Sequence, residues 1–295
     1  MSLMIKLVDS ELASMAAWIT ERESIRAKKE AGLPKPWTTD PFLRDFRWCN
    51  VRRMDDRVSR ELLAAWYAPS VSSETTLIAA VLGRLINWTS SLLEITDGGP
   101  FELRHLDRAR AVLTARAERG EKVFTGAYIV PGIPGKTKVD SVCDLAALVS
   151  VEASNVLTSS MRGTWANLTK FQGLGSFLAG QVVADMAHLP VGRSWADSRT
   201  WAPIGPGSAR GMNRLMGRPK DRPLHQAEFE ILLPELMSIL KELVPTIWED
   251  RKLLAMDIQN VACEYDKSRR LQLGEGSVRS RYDGKAVTHA VSLWD

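Results

Sequence analysis

The chemistry-bearing residues fall in four stretches. In Arg47-Trp48-Cys49-Asn50-Val51-Arg52-Arg53-Met54-Asp55-Asp56-Arg57-Val58-Ser59-Arg60, five arginines surround two adjacent aspartates. On a helix Asn50, Arg53 and Arg57 share a stripe, and Arg52 pairs with Asp55 or Asp56 a turn later. Such a run reads either as a solvated, salt-bridged face or as an anion clamp. In the clamp, planar guanidinium forks grip phosphate or carboxylate and an aspartate orients them or accepts a proton.

Thr200-Trp201-Ala202-Pro203-Ile204-Gly205-Pro206-Gly207-Ser208-Ala209-Arg210-Gly211-Met212-Asn213-Arg214 is a Gly/Pro loop with free N–H groups. Ser208 is expected to cap a following helix, with Arg210, Asn213 and Arg214 at its start, where an anion can sit. A plain connection between helices is the alternative. The Gly-Lys-Ser/Thr ending of a Walker loop is missing, which argues against ATP chemistry.

In Asp257-Ile258-Gln259-Asn260-Val261-Ala262-Cys263-Glu264-Tyr265-Asp266-Lys267-Ser268-Arg269-Arg270, helical spacing puts Asp257, Asn260 and Glu264 on one face, continued by Lys267 and Arg270. Apolar neighbours predict a partly buried helix and a carboxylate in a cleft. Asp185 lies among Val182, Val183 and Met186, and an aspartate on an apolar stripe needs a partner.

The fourth stretch is Phe171-Gln172-Gly173-Leu174-Gly175-Ser176-Phe177, which joins two apolar stripes through a turn cornered by Gly173 and Gly175. Glycines there permit positive φ, and the N–H groups that open the second helix can approach a phosphate. A helix-hairpin-helix grip on a DNA backbone follows this logic, as does a tight turn in an ordinary core.

The elements that must position these residues read as helices. Apolar positions at helical spacing predict a helix from Val8 to about Ala31 with Glu21, Arg22, Glu23, Arg26, Lys28 and Lys29 on its charged face, stopped by Gly32 and Pro34. Asp40 is expected to cap a helix with Pro41 at its first position, running past Asn50 to Leu63. Ser72 or Ser73 opens another to about Leu93, and Leu103 to Arg119 is a further one. Residues 123–130 are the best strand, giving at most one short β ribbon. Helices are then expected over Ser141–Leu157, Trp165–His188 through the hairpin, Gln226–Lys241 and Ile247–Leu271. Five prolines and five glycines break up Pro190–Pro223. The expected fold class is mainly α, with residues 1–272 as one helical catalytic domain or two lobes meeting near 140, and 273–295 as a basic tail.

Formal net charge is +4 over 295 residues with a pI near 9.0, suited to a polyanion only if the cations cluster. Cys49, Cys143 and Cys263 are far apart and odd in number, and His105, His188, His225 and His289 are scattered. These spacings support neither a disulfide framework nor a metal site and point to a reducing compartment. No long apolar run or leader is visible, so no membrane partner is expected and the location reads as cytoplasmic.

Taken in order, these segments resemble a known family. Trp-x-x-Glu-Arg-Glu from Trp18, Pro-Lys-Pro-Trp-Thr-x-Asp-Pro from Pro34 and Arg-x-Cys-Asn-Val-Arg-Arg-x-Asp-Asp-Arg-Val from Arg47 are similar to the helical domain of phage thymine-hypermodification enzymes. Gly-Leu-Gly-x-Phe-x-Ala-Gly-Gln from Gly173, Trp-Ala-Pro-x-Gly-Pro-Gly-Ser from Trp201 and Asp-Ile-Gln-x-x-x-Cys-Glu-Tyr-Asp-Lys from Asp257 continue the likeness over roughly residues 15–272. That domain occurs with kinases of 5-hydroxymethyluracil in DNA and in thymine pyrophosphorylases, or amino acid:DNA transferases. No phosphate-loop domain is visible in this length, which favours the transferase. The family is thought to be distantly related to helix-hairpin-helix DNA glycosylases. This chain lacks a lysine in the second hairpin helix, where some of those enzymes carry their nucleophile.

The resemblance implies a DNA-modifying enzyme in the cytoplasm of a phage-infected bacterium. Its partners are double-stranded DNA carrying 5-phosphomethyl- or 5-pyrophosphomethyl-deoxyuridine and a free amino acid such as glycine. An amine replaces the phosphate or pyrophosphate on a flipped base, and no metal or cofactor is needed. Asp56, Asp185, Asp257 and Glu264 are candidate proton acceptors. Arg52, Arg53, Arg57 and Arg210 would stabilise the leaving phosphate, and Lys267 would hold the amino acid's carboxylate. Asn50, Asn87, Gln181 and Asn213 would read the pyrimidine edge. Lys170, Gly173, Gly175, Ser176, Gly207, Ser208 and Arg214 would hold the DNA backbone. The alternatives are a non-catalytic DNA-binding accessory subunit and a glycosylase acting on a modified base.

Overall fold

Asp40 accepts the N–H groups of Phe42 and Leu43, so the helix after it opens where the sequence places it, with Pro41 first. Ser72 likewise caps the helix at Ser73 by accepting from Thr75. A computed structural model describes residues 7–68, 71–126, 130 and 132–276. Among them the elements are α1 (Asp9–Glu30), α2 (Pro41–Asp45), α3 (Arg57–Ala65), α4 (Ser73–Ile86), α5 (Thr89–Ile95), α6 (Leu106–Glu118), α7 (Lys138–Val151), α8 (Ala153–Val156), α9 (Met161–Leu168), α10 (Ser176–Met186), α11 (Pro190–Arg193), α12 (Pro206–Leu215), α13 (Gln226–Leu243), α14 (Pro245–Arg251) and α15 (Ala255–Gln272). Short 3₁₀ turns occupy Arg53–Asp55 and Leu103–His105.

No strand occurs among the described residues beyond an isolated bridge at Phe46. Of the expected ribbon, residues 127–129 lie outside the described part, as does the tail from 277 onward. The fold is all-helical, as its periodicities imply. A contiguous core runs from Leu12 and Ile19 in α1 through α4, α7 and α10 to Val261 and Tyr265 in α15. The innermost helix is α4, with Leu77 to Ile86 all buried against α7 and α10.

Several expected helices are shorter than their patterns. The run from Pro41 to Leu63 is broken: α2 ends at Asp45, the chain extends over 46–52, and α3 starts only at Arg57. Asn87 ends α4 in the left-handed region at φ 46°, where a short polar side chain tolerates the strain, so the helix stops before Leu93. Lys252, also left-handed at φ 49°, separates α14 from α15.

The pair α12 and α15 forms the most extensive helix contact among the described residues. A Cβ on Gly207 would fall 2.2 Å from Cys263 Sγ, and one on Gly211 only 2.1 Å from the Ala262 carbonyl oxygen. Glycine four residues apart on α12 therefore lets two backbones touch. The hairpin is present as α9, a turn and α10. Gly173 sits at φ 99°, but Gly175 at φ −60° is an ordinary helix N-cap, so one glycine corner is conformationally required rather than two. Trp165 pins the turn by donating its indole N–H to Ser176 O at 3.1 Å.

Candidate active site

Asp185 has no exposed surface, and its partner turns out to be a whole network. Arg84, inside the apolar α4, donates Nε to Oδ2 and Nη2 to Oδ1, both at 2.5 Å. Arg53 adds Nε at 3.2 Å and the Tyr67 hydroxyl donates at 2.7 Å. Burial alone would push this carboxyl up, but Arg84 and Arg53 outweigh it and hold it below the usual carboxylate range. Arg84 also donates to Ser59 and Asn87, and Arg53 donates Nη1 to Gln181 at 2.8 Å. Four elements meet at one carboxylate: the 3₁₀ turn, α3's neighbourhood, α4 and α10.

A second set of bonds fastens the extended segment 47–53 along α15. Asp257, fully buried, accepts the Arg53 N–H at 2.8 Å and the Leu254 N–H at 2.8 Å. Two turns on, Glu264 accepts the Cys49 N–H at 3.1 Å and pairs with Lys267 at 3.3 Å. Lys267 donates to the Arg47 carbonyl and lies 4.5 Å from the Trp48 ring centroid. The shared stripe on α15 is therefore a rail for an irregular strand of chain, which explains why residues 47–53 are not helical. Backbone groups that a helix would have satisfied internally are bonded instead by long-range carboxylate and ammonium.

That strand forms one wall of a cleft between α1, α2 and α3, with a volume of about 1460 Å³. Eight lysines and arginines line it against five acids. Asp56 stands on the wall, accepting the Asn50 N–H at 2.8 Å. Burial raises its carboxyl to about 6, although the Asn50 N–H and Arg53 pull it down; Glu264 adds to the rise. Trp37 and Trp48 give the cleft aromatic surface. Their indole N–H groups are fixed to Leu33 O at 2.7 Å and Phe42 O at 3.0 Å, so neither ring is free to turn away. Such a cavity is large enough for a nucleotide. Among the described residues no group of three or more His, Cys, Asp or Glu is placed to hold a metal ion.

Residues 10–277 match the family described as 5-hmdU DNA kinase, helical domain. The chain belongs to that family. It is also 25% identical over 219 residues to a 5-hmdU DNA kinase from Bacillus phage SP10, a match covering 66% of this chain. The chain spans about a third, 34%, of that relative's length. No solved structure matches.

Within this helical domain the residues singled out by spacing scatter into distinct roles. Asn50, Asp56 and Arg57 do meet at the cleft. Arg52 pairs with Asp55 at 3.6 Å as expected, whereas the stripe joining Asn50, Arg53 and Arg57 does not exist: Arg53 turns inward to Asp185 while Arg57 is 61% exposed beside Glu61. Asn87 accepts from Arg84, and Asn213, with no exposed surface, donates to the Lys220 and Arg222 carbonyls. Both amides serve the fold, and Gln181 is engaged by Arg53.

Arg210 is not with Arg53. Its Nε and that of Arg214 bind the fully buried Asp266 at 2.8 and 2.9 Å, nine residues beyond Asp257 on α15, or about 14 Å along the axis. Ser208 caps α12 from the N3 position rather than the N-cap, which is Gly205: its buried hydroxyl accepts the Gly205 N–H at 2.9 Å and the Gln259 amide N–H. With Gly207 packed on Cys263, this helix N-terminus is closed against α15 at Gly207 and Ser208, both buried. The hairpin is open: Lys170, Gly175 and Ser176 are exposed at the turn held by Gly173.

Sequence reasoning missed Arg84, Arg22 and the two cleft tryptophans. Arg84 had a signal, since a lone arginine in an apolar helix is the counterpart of a lone aspartate in another. Arg22, assigned to the charged face of α1, is only 7% exposed and shares its buried side with Trp18 and Ile25.

Proposed function

We propose that this chain modifies DNA in which a thymine position carries a 5-phosphomethyl or 5-pyrophosphomethyl group, and that the cleft beside Asp56 receives the flipped base. An amine lone pair attacks the 5-methylene carbon, the C–O bond to phosphate breaks with its electrons leaving on phosphate, and the amine's proton passes to the Asp56 carboxylate. Of the four acids considered, Asp185, Asp257 and Glu264 are each engaged by two or more donors. Asp56 has a single backbone donor and a carboxyl raised to about 6, the range in which a base works near neutral pH. That observation carries the reading.

Arg57 and Arg60 at the cleft rim are the arginines suited to the departing phosphate. Trp37 or Trp48 offers a face for the extruded base. The exposed hairpin turn, with Lys170 and the open N-terminus of α10, is suited to the DNA backbone. Free amino acid is the proposed amine donor.

A second reading rests on coverage. The matched region makes up 34% of a longer relative named for kinase activity, which favours a domain that holds modified DNA for chemistry carried out elsewhere. Incubating 5-phosphomethyl-deoxyuridine duplex with a pool of amino acids, then digesting and weighing the nucleosides, separates the two. A new nucleoside heavier than 5-hydroxymethyldeoxyuridine by one amino acid residue, with phosphate released, supports transfer. Tight binding without phosphate release from any mixture supports the accessory role, and abasic sites would indicate a glycosylase.

A further inference from the structure

We infer that Arg22 anchors an oxyanion, a carboxylate or phosphate group of a small substrate, at the floor of the cleft. The inference rests on reading that cleft as the working site, and it assigns a residue whose helical position suggested only a solvated face. The other well-buried arginines are matched by acids: Arg53 with Asp185 at 3.2 Å, Arg84 with Asp185 at 2.5 Å and Arg214 with Asp266 at 2.9 Å. Arg22 is 7% exposed, yet it makes no ion pair among the described residues. Its Nη2 reaches only the backbone carbonyls of Cys49 at 3.2 Å and Trp48 at 3.5 Å, and its Nε has no partner.

None of the acids whose charge it feels forms an ion pair with it. Glu264 holds Cys49 and Lys267, Glu23 holds Arg26, and Asp56 accepts only the Asn50 N–H. Burial accordingly drives the Arg22 guanidinium below its usual pKa, with Glu264 and the other acids offsetting this only in part. A guanidinium taken out of water without a counter-charge is expensive to keep. It is retained on the wall of a cleft of about 1460 Å³ that also presents Asp56. A cation and a proton acceptor lining one cleft suit a zwitterion, its carboxylate at Arg22 and its amine at Asp56; they equally suit a phosphate at Arg22 delivered with a nucleobase.

Calorimetric titration of the full chain at constant ionic strength tests this with glycine, methylamine and inorganic phosphate as probes. Glycine or phosphate is expected to bind saturably, methylamine is not, and Arg22→Gln is expected to weaken the anion at least tenfold. Arg22→Lys should fall between, since it keeps the charge and loses the fork. Glycine binding alone assigns the carboxylate of an amine donor; phosphate binding alone assigns the phosphate of the modified base. Because removal of an unpaired buried charge spares the fold, Arg22→Gln should melt at or above the wild-type temperature. Absence of saturable binding by either anion to the wild type, or equal affinity in Arg22→Gln, overturns the inference. The titration needs neither DNA nor turnover, so its failure is distinct from failure of amine transfer.

Discussion

Replacing Asp185 by Asn separates a structural carboxylate from a catalytic one. The side chain keeps its volume and one acceptor oxygen but loses its charge, and its amide N–H₂ now confronts donors where an oxygen accepted from Arg84 and Tyr67 at 2.5 and 2.7 Å. Arg84 and Arg53, with side chains 3% and 9% exposed, are left without their common counter-ion. Breaking one partner of a buried ion pair typically costs about 3–5 kcal/mol, because the surviving charge is stranded. Against a total stability of about 5–15 kcal/mol, the variant should be severely weakened. With a urea slope of about 2 kcal/mol/M, the unfolding midpoint followed by far-UV circular dichroism should fall by about 2 M. Adding Arg84→Gln should lose less than the sum of the single effects. A shift below about 0.5 M with chemistry abolished would refute the structural assignment and return Asp185 to the list of bases. The pH dependence has a definite sign as well. The folded carboxyl lies below its unfolded value near 3.8, so its contribution is present above about pH 4 and is lost as the pH falls through the folded value.

Asp56 has the opposite sign. Its folded pKa of about 6 exceeds the unfolded 3.8, so the folded state binds the extra proton and stability should decline by about 3 kcal/mol as pH rises from below about 4 to above about 6, then level off; denaturant titrations of Asp56→Asn should show that slope removed. Gly211→Ala would set a methyl against the Ala262 carbonyl and push α12 off α15, lowering stability by about 3 kcal/mol in thermal melts, whereas a neutral effect would contradict the close approach. Lys170→Gln at the hairpin should reduce the slope of log K against log salt for duplex binding by about 0.9, and an unchanged slope would remove the hairpin from the DNA path.

Local signals were legible because they are settled locally. Asp40 before Pro41 and Ser72 before an apolar run each need only the next two or three N–H groups, and both act as caps in the fold. The all-helical class followed from periodicity in the same way. The stretch from Arg47 to Asp56 was misread as helix because its backbone is satisfied by Asp257, Glu264 and Lys267, more than 200 residues away. Helical spacing on α15 did place those three on one face, but nothing in the pattern says what lies across it. Likewise Asp185 declared its need for a partner, while the partner, Arg84, sits 101 residues earlier in a helix whose spacing showed only apolar positions. Gly207 and Ser208 carried the composition of an anion loop. Their burial under Cys263 and Gln259 is a tertiary fact that composition does not contain.

The central claim is that Asp56 takes the proton from an amine displacing phosphate in the basic cleft. Its most direct test is phosphate release from 5-phosphomethyl-deoxyuridine duplex with amino acids present, measured for the wild type and Asp56→Asn alongside duplex affinity. The account predicts release by the wild type and a rate at least about 100-fold lower in the variant, with affinity unchanged. Equal rates in the two proteins, or no release by the wild type with any amino acid, would contradict it.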